Sequence, residues 1–105
     1  MDYEVSTEID ATAARVWAVL ADLGTWPEWT ASMREVTPLG DGPVGEGSRV
    51  RVRQPKLPTV VWTISDWQPE HRFTWTATSP GVATAADHEL RSDGDRTTVV
   101  LRVRQ

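Results

Sequence analysis

The chain has 105 residues, a mass of 11.7 kDa and no cysteine, which suits a single domain and excludes disulfides and thiolate zinc sites. Its formal net charge of −4 and pI near 5.0 argue against a nucleic-acid-binding surface, because such surfaces concentrate positive charge. With 39% hydrophobic residues and six tryptophans, it has the material for a packed core. No secretion signal or membrane-spanning run is recognised, so a cytoplasmic protein is expected.

The first part of the chain predicts a strand, a helix and a short helical turn. Apolar and polar residues alternate over residues 2–10, as in a strand with one face buried. Thr12 can cap a helix over residues 13–23, and Gly24 is a natural C-terminal stop. Residues 26–29 contain a proline suited to a first helical turn. The apolar stripe of the helix is expected to comprise Val16, Val19, Leu20 and Leu23.

The rest of the sequence predicts an antiparallel meander. Residues 33–39 form a candidate strand, and residues 40–47 form a glycine-rich loop. From Ser48 onward, alternating runs are separated by short breaks at residues 54–58, 69–70, 80–81 and 93–94. The expected fold class is therefore α+β, with a curved sheet of about seven antiparallel strands and the helical segment between strands one and two.

The last three breaks, taken as two-residue turns, fix the register of the strands. They oppose Ile64 to Trp75, Phe73 to His88, and His88 to Val99. Apolar side chains then share one face, and arginines, threonines and carboxylates share the other. One helix about 10 Å wide cannot cover a sheet on the order of 30 Å wide, so we expect apolar surface to remain for a ligand or a partner.

Two segments carry a resemblance to a known family. One is the helix with Val16, Trp17, Leu20, Asp22 and Leu23 followed by the turn from Trp26 to Trp29; the other runs from Trp62 through Pro69, Arg72 and Phe73 to Trp75. In this order, ahead of and within a meander, they resemble the polyketide cyclase/dehydrase group of the START-like (SRPBCC, Bet v 1-like) superfamily. The resemblance covers nearly the whole chain.

The resemblance implies a helix-grip fold, in which a curved antiparallel sheet wraps around a long C-terminal helix with an apolar ligand cavity between them. Here the sequence stops at Gln105, where the family continues into that helix. We therefore expect one domain over residues 1–105, shortened at the C-terminus and without the grip helix. Either this is a shortened version of the fold, or the cover comes from another molecule, such as a second copy or a partner helix.

The expected function is the binding of an apolar small molecule, such as a lipid, polyketide or aromatic metabolite, on the concave sheet face. Large rings supply contact area with little entropy loss, although the same rings also suit a structural core. The candidate ligand-binding residues are Trp26, Trp29, Val50, Val52, Trp62, Ile64, Phe73, Trp75, Ala86, His88, Val99 and Leu101.

Two polar residues are also predicted to lie on this face. His88 is the candidate acid/base of the alternative function, a polyketide cyclase or dehydratase, but a core histidine hydrogen-bonded to a backbone group or water is the favoured interpretation, because no partner is evident. Asp66 is placed on the same face, either orienting a ligand or solvated at a strand end. The second alternative is a protein-interaction module whose open sheet accepts a partner helix. No cofactor, metal or nucleic acid is expected, and binding is favoured over catalysis because polar groups on this face are scarce.

Overall fold

The computed structural model describes residues 2–29, 33–79 and 81–105, and only the backbone of Trp29 and Ser79. Its elements follow the predicted chain order. They are β1 (Asp2–Ile9), α1 (Ala13–Ala21), a 3₁₀ turn (Leu23–Thr25), α2 (Trp26–Trp29), β2 (Glu35–Leu39), β3 (Arg49–Arg53), β4 (Val60–Gln68), β5 (Arg72–Ser79), β6 (Val82–Asp93) and β7 (Arg96–Arg104).

The boundaries of α1 follow from local hydrogen bonds. The Thr12 hydroxyl accepts a bond from the backbone N–H of Arg15 at 3.4 Å, as expected of a helix cap. At the other end, Asp22 leaves the helical conformation, and its carbonyl accepts bonds from the backbone N–H and the hydroxyl of Thr25. The α-helix therefore ends at Ala21, earlier than predicted, and the chain continues as a tighter 3₁₀ turn.

All seven strands join one antiparallel sheet in the order β1-β7-β6-β5-β4-β3-β2. This confirms the predicted fold class. Edge strand β2 contains Pro38, which cannot donate a ladder hydrogen bond and is tolerated at an edge. The 3₁₀ turn and α2 lie against β2, while α1 contacts β6 and β7. Only Gln105 follows β7, so among the described residues no helix follows the last strand.

The predicted registers hold to different extents. The β5–β6 pairing is confirmed, with Phe73 opposite His88 and Trp75 opposite Ala86. The β6–β7 pairing is wrong by two residues, since His88 faces Leu101 and not Val99. The cause is the turn, in which Gly94 with φ +62 takes the first central position, as in a type II′ turn. Each side chain nevertheless stays on its predicted face, because a two-residue shift preserves the alternation.

A β-bulge overturns one residue assignment. Ile64 pairs with Trp75 as predicted, but the register shifts between Ile64 and Asp66, so that Asp66 faces Thr74 and not Phe73. The extra residue inverts the alternation beyond the bulge. Asp66 therefore lies on the polar face, and Trp67 replaces it on the apolar face, where it contacts Phe73.

The apolar face divides into two parts. The closed part lies beneath the helical segment and buries residues such as Phe73, Ile64 and Val50, each 0% exposed. The open part comprises the apolar side chains of β1 and β7. All eight residues of β1 are exposed, with Tyr3 at 54%, which corrects the expectation that one face of this strand is buried.

Candidate functional site

A group of rings, here called the aromatic cluster, fills the closed part; it comprises Trp26, Trp62, Phe73, Trp75 and His88. Trp62 stacks on Trp75 with ring centroids 5.5 Å apart, and Phe73 meets Trp75 edge to face at 5.6 Å. Trp62 therefore shares a face with Phe73 and Trp75, as the register argument predicts. The indole N–H of Trp26 donates to the Leu20 carbonyl at 2.8 Å, which ties α2 to α1.

Two further tryptophans extend this packing. Trp17 of α1 meets Trp67 edge to face at 5.0 Å and lies 6.2 Å from Phe73. Neither was among the candidate site residues. Trp17 lies one position off the predicted helix stripe, and no sequence pattern marks the bulge that turns Trp67 inward. Trp17 could have been found from the family segment in which it stands.

His88 is held inside the aromatic cluster. Its ring stacks on Phe73 with centroids 4.2 Å apart and an interplanar angle of 10°. With Nδ1 protonated, it donates to the Phe73 carbonyl at 3.4 Å. Desolvation by burial is the largest influence on its acidity and lowers the pKa of His88 from 6.5 to about 4. The ring is neutral near pH 7 and in contact with other side chains.

An apolar depression, here called the trough, lies between α1 and the β1–β7 edge and has a volume of about 510 Å³. Val19, predicted to be buried in the helix stripe, is 55% exposed and faces this space. Arg15 is the one charged residue among the described residues that line it. The lining residues are Thr7, Ile9, Ala11, Arg15, Val16, Val19, Leu20 and Val99.

The trough is continuous with the packed core. Val16 and Leu20 belong to the core and also line the trough, while Val99 packs against the core from β7. Thr97, fully buried beside it, donates its hydroxyl to the Ala11 carbonyl at 2.8 Å and so fixes the connection between β1 and α1. A ligand in the trough would contact the side of the core and leave the aromatic cluster intact.

The opposite face of the sheet carries a polar network. Asp87 accepts hydrogen bonds from Thr74 at 2.7 Å and from Arg104 at 2.9 and 3.0 Å. Desolvation raises the pKa of Asp87, but these bonds outweigh it and the net pKa is lowered. The hydrogen bond from Arg72 likewise lowers the pKa of Asp66. These carboxylates are engaged with their partners, and Asp66 has no contact with the trough.

The candidate ligand-binding residues from the sequence separate into two groups. Those buried in the closed part are Trp26, Val50, Val52, Ile64, Phe73, Trp75, Ala86 and His88. Those only half-buried on the apolar face are Trp62, Val99 and Leu101. The side chain of Trp29 lies outside the described residues. Of the group, only Val99 lines the trough, whereas Ile9, Val16, Val19 and Leu20 were not among the candidates.

A family model for polyketide cyclase/dehydrase and lipid transport matches residues 1–105. The chain belongs to this family. A search of curated proteins gives no match. The polyketide cyclase/dehydrase and lipid transport family thus accounts for the whole sequence, including both segments on which the resemblance rests.

Solved structures show the same fold. A START superfamily protein from Mycobacterium smegmatis aligns with a TM-score of 0.81 at 12% identity, covering 97% of this chain and 74% of the other. The Zhui aromatase/cyclase from a Streptomyces species aligns at 0.78 and 24% identity, covering 98% and 66%. A norcoclaurine synthase variant from Thalictrum aligns at 0.75 and 15% identity, covering 98% and 73%. At these identities the likeness establishes the START-like fold and not the activity.

No helix in the described part of the chain is long and apolar enough to cross a bilayer. Across residues 2–29, 33–79 and 81–105, no group of three or more histidine, aspartate and glutamate side chains is arranged to hold a metal ion.

Proposed function

We propose that this protein binds an apolar small molecule in the trough. The observation that carries the proposal is the 510 Å³ space itself, walled by Ile9, Val16, Val19, Leu20 and Val99 on a sheet edge that nothing else in the described chain covers. Exposed apolar surface of this kind usually serves a ligand or a partner. Membership of a family described by cyclases and lipid transport supports an apolar ligand such as a lipid, polyketide or aromatic metabolite.

Binding is preferred over catalysis because of where His88 lies. A cyclase using this residue would need the imidazole to reach a substrate, yet its ring is packed between Phe73, Trp26 and Trp75. A base with a pKa near 4 is also a weak proton acceptor at neutral pH. For the cyclase alternative to hold, His88→Gln must abolish a turnover measured with the parent protein while leaving ligand affinity unchanged.

Two other occupants of the open part compete with a small ligand. A second copy of the chain or a helix of another protein would bury the same side chains, including Tyr3 and Val5 of β1. If a second copy or a partner helix occupies the open part, sedimentation should detect a complex. If a small ligand occupies it, native mass spectrometry should detect a monomer with the added mass of the ligand. Both measurements use freshly purified protein without denaturation.

The trough is tested with an environment-sensitive apolar dye and with long-chain fatty alcohols as competitors. Val19→Glu places a charge among the lining residues and is expected to reduce dye affinity at least tenfold, because an apolar ligand cannot compensate a desolvated carboxylate. Val82→Glu is the matched control, since Val82 is also exposed, at 44%, but does not line the trough. Equal dye binding by both variants would place the site elsewhere and refute the proposal.

A further inference from the structure

The tip of the β3–β4 hairpin has an unusual backbone. The Leu57 N–H donates to the Gln54 carbonyl at 3.3 Å, with Pro55 and Lys56 at the centre of the turn. Lys56 has φ +64, a left-handed conformation that favours glycine or asparagine. Glu70 in the β4–β5 turn adopts the same conformation with φ +66, and in both hairpins it fixes the geometry of the turn.

This turn presents an apolar side chain to solvent. Leu57 is 58% exposed, the highest value among the large hydrophobic residues that the structure describes. It lies between Pro55 and Pro58, which reduce the conformational freedom of the tip. The stiff turn therefore keeps the leucine side chain exposed to water. Its transfer into an apolar phase would cost little further conformational entropy.

Cations that form no ion pair lie around the same tip, although Arg53 is opposite Glu35 and attracts its carboxylate. Ion pairs engage Arg51, Arg72, Arg91, Arg96, Arg102 and Arg104. The cations that form no ion pair with any described residue are Arg15, Arg34, Arg49, Arg53 and Lys56. Of these, Arg34, Arg53 and Lys56 lie at the tip, where the backbone N–H of Arg34 donates to the Arg53 carbonyl at 2.8 Å, whereas Arg49 lies at the other end of β3, opposite Leu39. A chain of net charge −4 thus carries a locally basic end.

We propose that this tip docks on the surface of an anionic lipid bilayer. Leu57 enters the interface, and Arg34, Arg53 and Lys56 contact the headgroup phosphates. An anionic bilayer offers both an apolar interior for the leucine and phosphates for the cations, so its surface matches the chemistry of the tip. The antiparallel order places the tip at the opposite end of the sheet from Ile9, so this inference goes beyond the trough and does not depend on its occupant.

The test is flotation of the full chain with vesicles of phosphatidylcholine alone or mixed with phosphatidylglycerol. We expect binding only to the mixed vesicles, weakening as salt increases because the attraction is screened. Each cation near such a surface is worth roughly fivefold in partition, so the double variant Arg53→Gln/Lys56→Gln should bind roughly 25-fold more weakly. Leu57→Ser should lower partition by roughly tenfold.

Matched controls change the same residue types at the other end of the sheet. Leu39→Ser removes an exposed leucine at the far end of β2, and Arg96→Gln removes a cation that is paired with Glu8. Both should bind as the parent does, and circular dichroism should show all variants folded. Binding to neither kind of vesicle, equal binding to both, or equal losses in the tip and control variants would overturn the proposal. An acidic protein as the true partner would give the first of these results.

Discussion

The closed and open parts of the apolar face are built from similar residues and differ in what lies over them. Phe73 on β5 is 0% exposed, whereas Tyr3 on β1 is 54% exposed, although both point to the same face. Val16 and Leu20 of α1 contribute to the core, but Val19 on the same helix faces the trough. Alternation therefore identifies a face of the sheet, while its burial depends on how far the helical segment reaches.

Core truncation should give the largest difference between the two parts. Trp75→Ala in the closed part is expected to cost about 3 to 5 kcal/mol in the free energy of unfolding, because a large buried ring is replaced by a void. Tyr3→Ala in the open part should cost less than about 1 kcal/mol. Urea unfolding of both variants checks this, and similar losses would show that β1 is covered in solution.

The buried histidine should make the closed part sensitive to acid. Between pH 6.5 and 4 the unfolded chain binds a proton at His88 that the folded chain does not, so stability falls as pH falls through this window. The expected loss between pH 7 and pH 5 is about 2 kcal/mol. Urea midpoints over this range measure it.

His88→Gln is the control for this acid sensitivity and should flatten the slope above pH 5. The pKa values of Asp66 and Asp87 are lowered in the folded chain, so these carboxylates stabilise it at any pH above the ordinary carboxyl pKa. Their contribution to stability is lost only as the pH falls below that value. Between pH 7 and pH 5, the change in stability is therefore assigned to His88 and not to these two carboxylates. An unchanged slope in the variant would mean that His88 is accessible to solvent in the folded state.

The boundary between the parts can be probed at Thr97. Thr97→Val removes the hydrogen bond to the Ala11 carbonyl and should cost about 1 kcal/mol, because a partly buried carbonyl loses its donor. Thr98→Val, on the neighbouring half-buried residue, should cost less. Urea unfolding compares the stability of the two variants. Dye affinity should fall for Thr97→Val alone, since Thr97 positions the wall of the trough.

The smallest effect on stability is expected within the open part. Val19→Ser should change the free energy of unfolding by less than about 0.5 kcal/mol, since the side chain is already in water. If the open part binds a ligand or a second copy, the same change should lower dye affinity or dissociate the oligomer at micromolar concentration. Sedimentation velocity and dye titration measure both, and a stable ligand-free monomer that binds no dye would mean that the open part has no such role.

Sequence reasoning succeeded where local chemistry was sufficient. The β5–β6 register follows from two alternating strands and a turn at Gly81, which adopts φ +79. The cap at Thr12 and the inward placement of Trp62 and Trp75 follow from spacing alone. It failed at Asp66, where a bulge without a sequence signal inverted the alternation.

The candidate site shows the same division. Sequence alone determined that the chain has one apolar sheet face too wide for its helix and, apart from Asp66 and Trp67 at the bulge, which residues occupy that face, because alternation and turn spacing are local properties. Only the tertiary structure decided that the aromatic residues pack on one another and that the open surface lies at β1, β7 and Val19. Where the helix docks depends on hydrogen bonds such as Trp26 to Leu20 and Thr97 to Ala11, which join residues six and 86 positions apart in the chain and leave no periodic pattern.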